Sequence, residues 1–586
     1  MRPVDLAFYR APPAIRWVLR LIWHIEHGFE RARAEGHALD DARRRIRFVF
    51  LMFSAGFVVL AVCASKAALF PSVERVTALA APDGARADIV DRNGQLLAVD
   101  LPHYGVYFNP AENWDTGEVL RKLPAVLPQL NAERLDRALH ATRRQYLIGG
   151  LTPEEKAKVD DLGLPGISFE NEVGRVYPQG STAGHLIGFV DRGGSGLAGA
   201  ELGLNQAIDD DAGKTALPLS IDVRVQAAVQ DELSKAAEKF NAIGGVGIVT
   251  NVHTGEILAM ASWPNFDPNK AGESPPADMI NHAAATVYEP GSVFKVFTLA
   301  MGIDAGLANV DTPFDVATPL QLAGGRVIHD YHKGDSVLPL SKVFTHSSNI
   351  GAARLGLMAG SERMDKYFRS FGLFAAAPSE LKESARPLVQ KRLDENTVAS
   401  MSFGEAIAVS PLAIATGMNA IVNGGQYVPL TIKKLEPGQV PQGHRVISEA
   451  TSRTMLDLMR LNVTSEDGSG KKADVPGYSV GGKTGSAEKS AGGGIARKKL
   501  VSSFAAVFPT DGPMNADRYF ILIMLDEPKA TKDTFGFATG GWTAAPSVGR
   551  IVERIAPYVG VKREPIDMAT LYGGKGKPTE LQGSGR

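Results

Sequence analysis

The chain has 586 residues, enough for two or three domains with a large core. Lys and Arg number 63 against 64 Asp and Glu, so no global field favours nucleic acid or another polyanion as partner. The single cysteine, Cys63, lies in an apolar run, which excludes a disulfide framework and a cysteine-based metal site, and the histidines lack H-E-x-x-H spacing, so neither metal nor cofactor is expected.

In chain order, the first feature is "AIRWVLRLIWHIEHGFERARAEG", where Ile15, Val18, Leu19, Ile22 and Ile25 recur at helical spacing with Arg16, Arg20 and Arg31 among or after them. Two readings stay open: a basic amphipathic helix on the inner leaflet, or a short helix packed on a partner's transmembrane bundle. Next, Phe48 to Ser65 reads "FVFLMFSAGFVVLAVCAS", and about 18 apolar residues suffice to cross a bilayer. "RRRIR" (Arg43 to Arg47) flanks this run on one side, and Lys66 is the only charge just beyond it. The positive-inside rule therefore predicts a cytoplasmic tail over 1–47, one transmembrane helix over 48–66 and everything later outside. A cleaved signal peptide fits poorly, because the run is too long and starts too far from Met1.

Residues 67–216 read as a β-rich structural module. "ADIVDRNGQLLAVD" (87–100) predicts strand, Asn-Gly turn, strand, and "LPGISFENEVGRVYPQGSTAGHLIGFV" (164–190) continues the β character. No nucleophile with its base stands out there. From Leu217 the pattern changes to a short strand and an amphipathic helix, then a hairpin over 246–262 whose turn "VHTGE" holds His253 as a solvated residue. A long helical stretch follows, and strands return at 478–490, 500–509 and 518–528 before a last helix near "APSVGRIVERIAPYVG". The pattern predicts an α+β domain over 217–565, its sheet assembled from both ends of the segment with helices packed on it. The tail 566–586 is Gly- and Lys-rich with little to bury and is expected to be disordered.

The chemistry centres on "YEPGSVFKVFTLAM". Apolar residues cover most of this helix, so it should be buried, yet Ser292, Lys295 and Thr298 form one polar stripe at i, i+3 and i+6. A buried lysine loses proton affinity and can then serve as base for a serine nucleophile. Ser-x-x-Lys alone is weak, since it also begins at Ser379, Ser469 and Ser486, but only the Ser292 copy opens a buried helix. "THSSNIG" adds Ser347 and Asn349, and "GGKTGSAEK" adds Lys483, Thr484, Gly485 and Ser486. The order Ser-x-x-Lys, Ser-x-Asn, Lys-Thr-Gly is the signature of penicillin-recognising serine enzymes.

With these motifs on the page, the chain resembles class B penicillin-binding proteins, membrane-anchored peptidoglycan D,D-transpeptidases, over roughly residues 45–565. "GEILAMASWPNFDPN" and "NHAAATVYEPGSVFK" match the family's approach to the nucleophile. "RADIVDRNG", "GRVYPQGSTAGHLIGFV" and "GLAGAELGLNQ" match its pedestal and are most similar to the division-specific, FtsI-type branch. The resemblance implies a serine β-lactamase-like transpeptidase domain, a central antiparallel sheet with helices on both sides, standing on a non-catalytic, dimerisation-type pedestal. It also implies roles. Ser292 attacks the penultimate D-alanine carbonyl of a stem pentapeptide, Lys295 takes its proton, and Ser347 and Asn349 relay protons and hold the substrate amide. Lys483, Thr484, Gly485 and Ser486 grip the peptide and its carboxylate, and the backbone N–H groups of Ser292 and Ser486 form the oxyanion hole.

The implied partners are peptidoglycan stem peptides and lipid-linked precursor glycan, β-lactams as inhibitors, and a membrane-embedded glycan polymerase with other division proteins. The implied place is the bacterial inner membrane at the septum, with the catalytic domain in the periplasm. Two departures stand out: Ser486 replaces the threonine expected in the septal branch, and Ala87 replaces a pedestal glycine. An elongation-specific transpeptidase is the alternative within the family. The Glu-x-x-Leu-Asn element that places a deacylating glutamate in class A β-lactamases is missing after Asn349, and a non-enzymatic scaffold should have lost some of the polar residues that this chain keeps.

Overall fold

The computed structural model describes residues 38–69, 86–210, 215–331, 336–491 and 494–565. It comprises two units, residues 1–80 and 81–586. The amphipathic stretch expected around residues 15–31 and the tail 566–586 lie outside the described residues. In the first unit, helix α1 (Ala38–Leu69) carries the apolar run. Its large side chains, among them Phe50, Phe53 and Phe57, are exposed. Among the described residues no helix is long and apolar enough to cross a membrane, the described side chains of this run ending at Ala61.

In the second unit, β1 (Ile89–Val90) and β2 (Leu96–Phe108) pair antiparallel across the predicted Asn93–Gly94 turn. The Asp91 carboxylate accepts the N–H groups of Asn93 and Gln95, which fixes that turn. Next come α2 (Thr116–Val126), α3 (Ala132–Leu139), β3 (Gln145–Leu151), α4 (Pro153–Asp160) and β4 (Ile167–Val176). The β-rich reading did not anticipate the three helices. Each starts at a side-chain cap (Asp115, Asn131 and Thr152) but buries only one or two residues, so its periodic apolar signal is faint. β2 is the spine of this sheet, pairing with β4 from Val99 to Phe108 and with β3 near its end. Residues 177–188 form turns and a single helical turn rather than strand; Gly180 and Ala183 both take positive φ, which extended backbone excludes.

A buried ion-pair network ties the start of this module to its end. Glu201, fully buried, accepts Arg86 at 2.9 Å and Arg175 at 2.7 Å, and Arg175 also reaches Asp100 at 3.0 Å. The carbonyl of Ala87 accepts another Arg175 N–H, and Ala87 does not take a positive φ, so replacing the expected glycine costs nothing there.

β5 (Leu217–Pro218) runs parallel to β1, and α5 (Val223–Lys239) follows from its Asp222 cap. β6 (Gly244–Asn251) and β7 (Ile257–Trp263) form the predicted hairpin. His253 in its turn is half-buried rather than solvated: its Nε2 lies 2.9 Å from the Ala516 carbonyl, and burial lowers its proton affinity. The remaining elements that position the site are α6 (Lys295–Asp304), α7 (Asn349–Ser370), α8 (Pro411–Val422), α9 (Glu449–Thr464), β8 (Gly481–Ala491), β9 (Gly494–Phe508), β10 (Tyr519–Asp526) and α10 (Ala544–Ile555).

The large sheet runs β8-β9-β10-β6-β7, antiparallel throughout, so strands from both ends of the segment meet at the β10–β6 pair. Alternate residues of β10 part to opposite faces. Ile521, Ile523 and Leu525 pack with α5 and α10, while Phe520, Leu522 and Met524 join the core that contains α6, α8 and α9. Covering both faces is why "YFILIMLD" reads as a continuous apolar run instead of an alternating one. β8 stays at the edge, with one side open.

Candidate active site

Ser292 lies in a single 3-10 turn, Gly291–Phe294, and α6 starts only at Lys295, so the predicted helix begins tighter than α-helical. Two glycines fix this turn. Gly291 takes φ +55 and donates its N–H to the Gly404 carbonyl at 3.1 Å. Gly404 itself takes φ +86, and a Cβ there would lie 2.1 Å from the Gly291 carbonyl oxygen. Gly404→Ala is therefore expected to displace Ser292 and slow acylation about 100-fold, since small misplacements of reacting groups carry losses of that order. A stopped-flow acylation rate equal to wild type would contradict that expectation.

Lys295 is fully buried, and four oxygens surround its Nζ. Ser292 Oγ lies at 3.0 Å, Asn349 Oδ1 at 2.7 Å and Ser347 Oγ at 3.1 Å, and the Ser347 carbonyl also accepts. Burial pushes its pKa from 10.5 down to about 7, against the opposing pull of the Asp330 and Glu405 carboxylates. A neutral amine at 3.0 Å can accept the Ser292 proton, so the pair can generate a nucleophile at neutral pH. Ser292 remains partly accessible.

Ser347 bridges two lysines, because Lys483 Nζ reaches the same hydroxyl at 2.9 Å. Lys483 is also fully buried; burial and then the charge of Lys295 hold its pKa well below that of an ordinary lysine. Ser347 takes φ +60, a strained conformation for a residue with a side chain, and this aims both its carbonyl and its hydroxyl at Lys295. Capping of α7 falls to its neighbour: Ser348 Oγ accepts the Gly351 N–H and donates to Asp330, whose other oxygen takes the N–H groups of Asn349 and Ile350.

β8 passes beside the nucleophile turn, where a Cβ on Gly485 would lie 2.9 Å from the Pro290 carbonyl oxygen and one on Gly291 3.0 Å from that of Ser486. Thr484 and Ser486, two apart on the strand, share the opposite face. Thr484 Oγ1 lies 2.8 Å from Ser469 Oγ, and Ser486 Oγ accepts the Gly540 N–H at 3.2 Å. All three motifs thus converge on one site. The sequence reading missed Asp330, Gly404 and Ser469. Asp330 carries no local signal, and Ser469 had appeared only as one of the surplus Ser-x-x-Lys matches. Among the described residues no group of His, Cys, Asp and Glu could hold a metal ion.

Residues 245–552 match the family of the penicillin binding protein transpeptidase domain, and residues 82–216 that of the penicillin-binding protein dimerisation domain. The chain belongs to the class B penicillin-binding proteins. A Caulobacter vibrioides relative, named as a probable peptidoglycan D,D-transpeptidase FtsI, is 54% identical over 94% of this chain and 95% of its own. The Escherichia coli K12 peptidoglycan D,D-transpeptidase FtsI is 31% identical over 82% of this chain and 85% of its own. Among solved structures, penicillin binding protein 3 of Mycobacterium tuberculosis in complex with aztreonam superposes with a TM-score of 0.63 at 26% identity, covering 82% of this chain and 98% of that one. The fold of this chain is that of the penicillin-binding protein transpeptidases.

Proposed function

We propose that this protein is a peptidoglycan D,D-transpeptidase of the division septum, working through an acyl-enzyme on Ser292 and acylated there by β-lactams. The observation that carries this reading is the Lys295 amine, of lowered proton affinity, 3.0 Å from Ser292 Oγ. The division role rests on likeness to the two relatives named FtsI, and the β-lactam sensitivity on likeness to the aztreonam complex.

A stem peptide ending in D-Ala-D-Ala adds as a strand to the open edge of β8, its terminal carboxylate at the Thr484 and Ser486 hydroxyls near Lys483. Ser292 Oγ attacks the penultimate carbonyl while Lys295 Nζ takes the hydroxyl proton, and the Ser292 and Ser486 N–H groups hold the oxyanion. Collapse breaks the peptide bond. The leaving D-alanine amine collects a proton through Ser347 Oγ, which lies within hydrogen-bonding distance of both lysines, and Asn349 holds the substrate amide. An amine of a neighbouring stem peptide then attacks the ester and gives up a proton to Lys295, which passes it to Ser292 Oγ as the ester bond breaks, and the crosslinked product leaves. Gly485 lets the strand approach the nucleophile turn.

The division of the chain follows the same reading: cytoplasmic tail 1–47, membrane helix 48–66, pedestal 67–216, transpeptidase domain 217–565 and tail 566–586. The apolar run of α1 with Arg43 to Arg47 before it anchors the protein once in the inner membrane, catalytic domain in the periplasm, beside a glycan polymerase that supplies nascent strands from lipid-linked precursor.

Intact-mass measurement of the full-length protein in detergent, incubated with benzylpenicillin, tests the chemistry. A long-lived adduct of one penicillin is expected on wild type and none on Ser292→Ala. Rapid turnover of the drug would make the protein a β-lactamase, and no adduct on folded protein would remove the catalytic assignment.

A further inference from the structure

Thr484 and Ser486 are the two hydroxyls offered to a substrate carboxylate, but their protons are not equally available. Ser486 Oγ already accepts a backbone N–H, from Gly540, so its own proton is free for a ligand. Thr484 differs. Its Oγ1 lies 2.8 Å from Ser469 Oγ, and the direction of that bond follows from the groups behind it. Asn462, fully buried on α9, donates its Nδ2 to the Gly482 carbonyl at 2.8 Å, and its Oδ1 faces the Ser469 N–H at 3.1 Å. Both contacts demand the same amide orientation, so Oδ1 is an acceptor, and Ser469 Oγ at 3.0 Å must donate to it. A serine hydroxyl has one proton. Thr484 is therefore the donor to Ser469, and its proton points away from the substrate side.

This chain of hydroxyls can reverse without leaving a buried group unsatisfied. If Ser469 turns its proton toward Thr484, Asn462 Oδ1 keeps the Ser469 N–H, and Thr484 is freed to donate to a ligand. The reversed chain, from Ser469 to Thr484 to an anion, is polarised in one direction, which strengthens its last bond. Bonds to an ionised acceptor are roughly twice as strong as those between neutral groups, so a carboxylate gains more from this reversal than a neutral amide. The backbone holds Ser469 in place: Gly470 donates its N–H to the Asn462 carbonyl, and a Cβ on Gly541 would lie 2.7 Å from the Ser469 carbonyl oxygen.

We propose that Ser469 is a positioning residue that sets the selectivity of this site for a free C-terminal carboxylate, by turning its hydroxyl to prime Thr484 as a donor to that group. The proposal rests on the transpeptidase reading above, and it concerns a residue that touches Thr484, not the reacting atoms.

The test uses the full-length protein in detergent, excess glycine as acceptor amine, and two N-acylated peptides, one ending in D-Ala-D-Ala and the other in its C-terminal carboxamide. Release of D-alanine or D-alaninamide gives kcat/KM for each, and the ratio is the readout. Wild type is expected to prefer the carboxylate. Ser469→Ala should lower kcat/KM for the carboxylate peptide about twofold through KM, the scale of the polarisation that Ser469 adds to one hydrogen bond to an ion, with little change for the carboxamide. Ser469→Thr, which keeps a hydroxyl, should restore the preference. Ser469→Cys, which keeps the volume but offers only a weak donor, should behave like alanine and stands in should the alanine variant fail to fold. An unchanged ratio in the alanine and cysteine variants would overturn the role of Ser469 while leaving the transpeptidase reading intact. A wild type that cleaves both peptides equally would overturn the carboxylate site and the proposal with it, and release from neither would overturn the transpeptidase reading.

Discussion

Lys295→Met is expected to slow acylation of Ser292 by about a thousandfold, within the range that a positioned general base contributes. Methionine fills a similar volume, so the fold around it persists, but no group then takes the Ser292 proton. In wild type the acylation rate should rise with pH through a midpoint near 7, where Lys295 loses its proton, and the variant should lack that step. The same lysine leaves a mark on stability. Its pKa is about 7 in the folded protein and 10.5 when free, so between these values the unfolded chain binds more protons, and stability rises with pH. The folded state carries the full cost of the buried ammonium below pH 7, about 5 kcal/mol at 1.36 kcal/mol per unit, and that cost fades as pH approaches 10.5. Relative to Lys295→Met, wild type should therefore gain Tm on going from pH 7 toward 10, whatever constant loss the variant suffers from its missing hydrogen bonds. A Tm difference independent of pH would show that Lys295 keeps an ordinary proton affinity in the fold.

The second large effect lies far from the nucleophile. Glu201→Ala removes the one carboxylate shared by Arg86 and Arg175, whose side chains are 5% and 2% exposed. Breaking a buried pair from one side leaves uncompensated charge, at roughly 3–5 kcal/mol. Asp209, also paired with Arg86 but 49% exposed, should matter far less, and Asp209→Asn is expected to cost under about 1 kcal/mol. Hydrogen exchange should localise the Glu201→Ala loss to the strands β1 and β2, with the penicillin acylation rate unchanged in the folded fraction. Equal losses for the two variants would mean that water reaches both guanidinium groups.

How much of this was legible beforehand depended on whether a signal was local. The β6–β7 hairpin, the strands β9 and β10 and α10 were readable because each carries its own apolar run or periodicity, and β8 because it carries the Lys-Thr-Gly motif. The short pedestal helices were not, because α2, α3 and α4 each bury only a residue or two and draw their stability from caps and tertiary contacts. His253 looked solvated because a turn sequence says nothing about Ala516, which comes to it from more than 260 positions away. Asp330 and Ser469 escaped for the same reason.

By itself, the sequence determined which side chains could do the chemistry: a serine and a lysine three apart in an apolar helix, a Ser-x-Asn, and a Lys-Thr-Gly on a strand. Motif spacing is covalent and survives without a fold. The tertiary structure alone decided what those groups are chemically. Lys295 loses proton affinity because the core removes water from it, the Ser347 hydroxyl meets two lysines from distant segments, and Thr484 donates to Ser469 because Asn462 takes the Ser469 proton behind it. Desolvation and hydrogen-bond direction belong to the packed environment, which no stretch of chain carries alone.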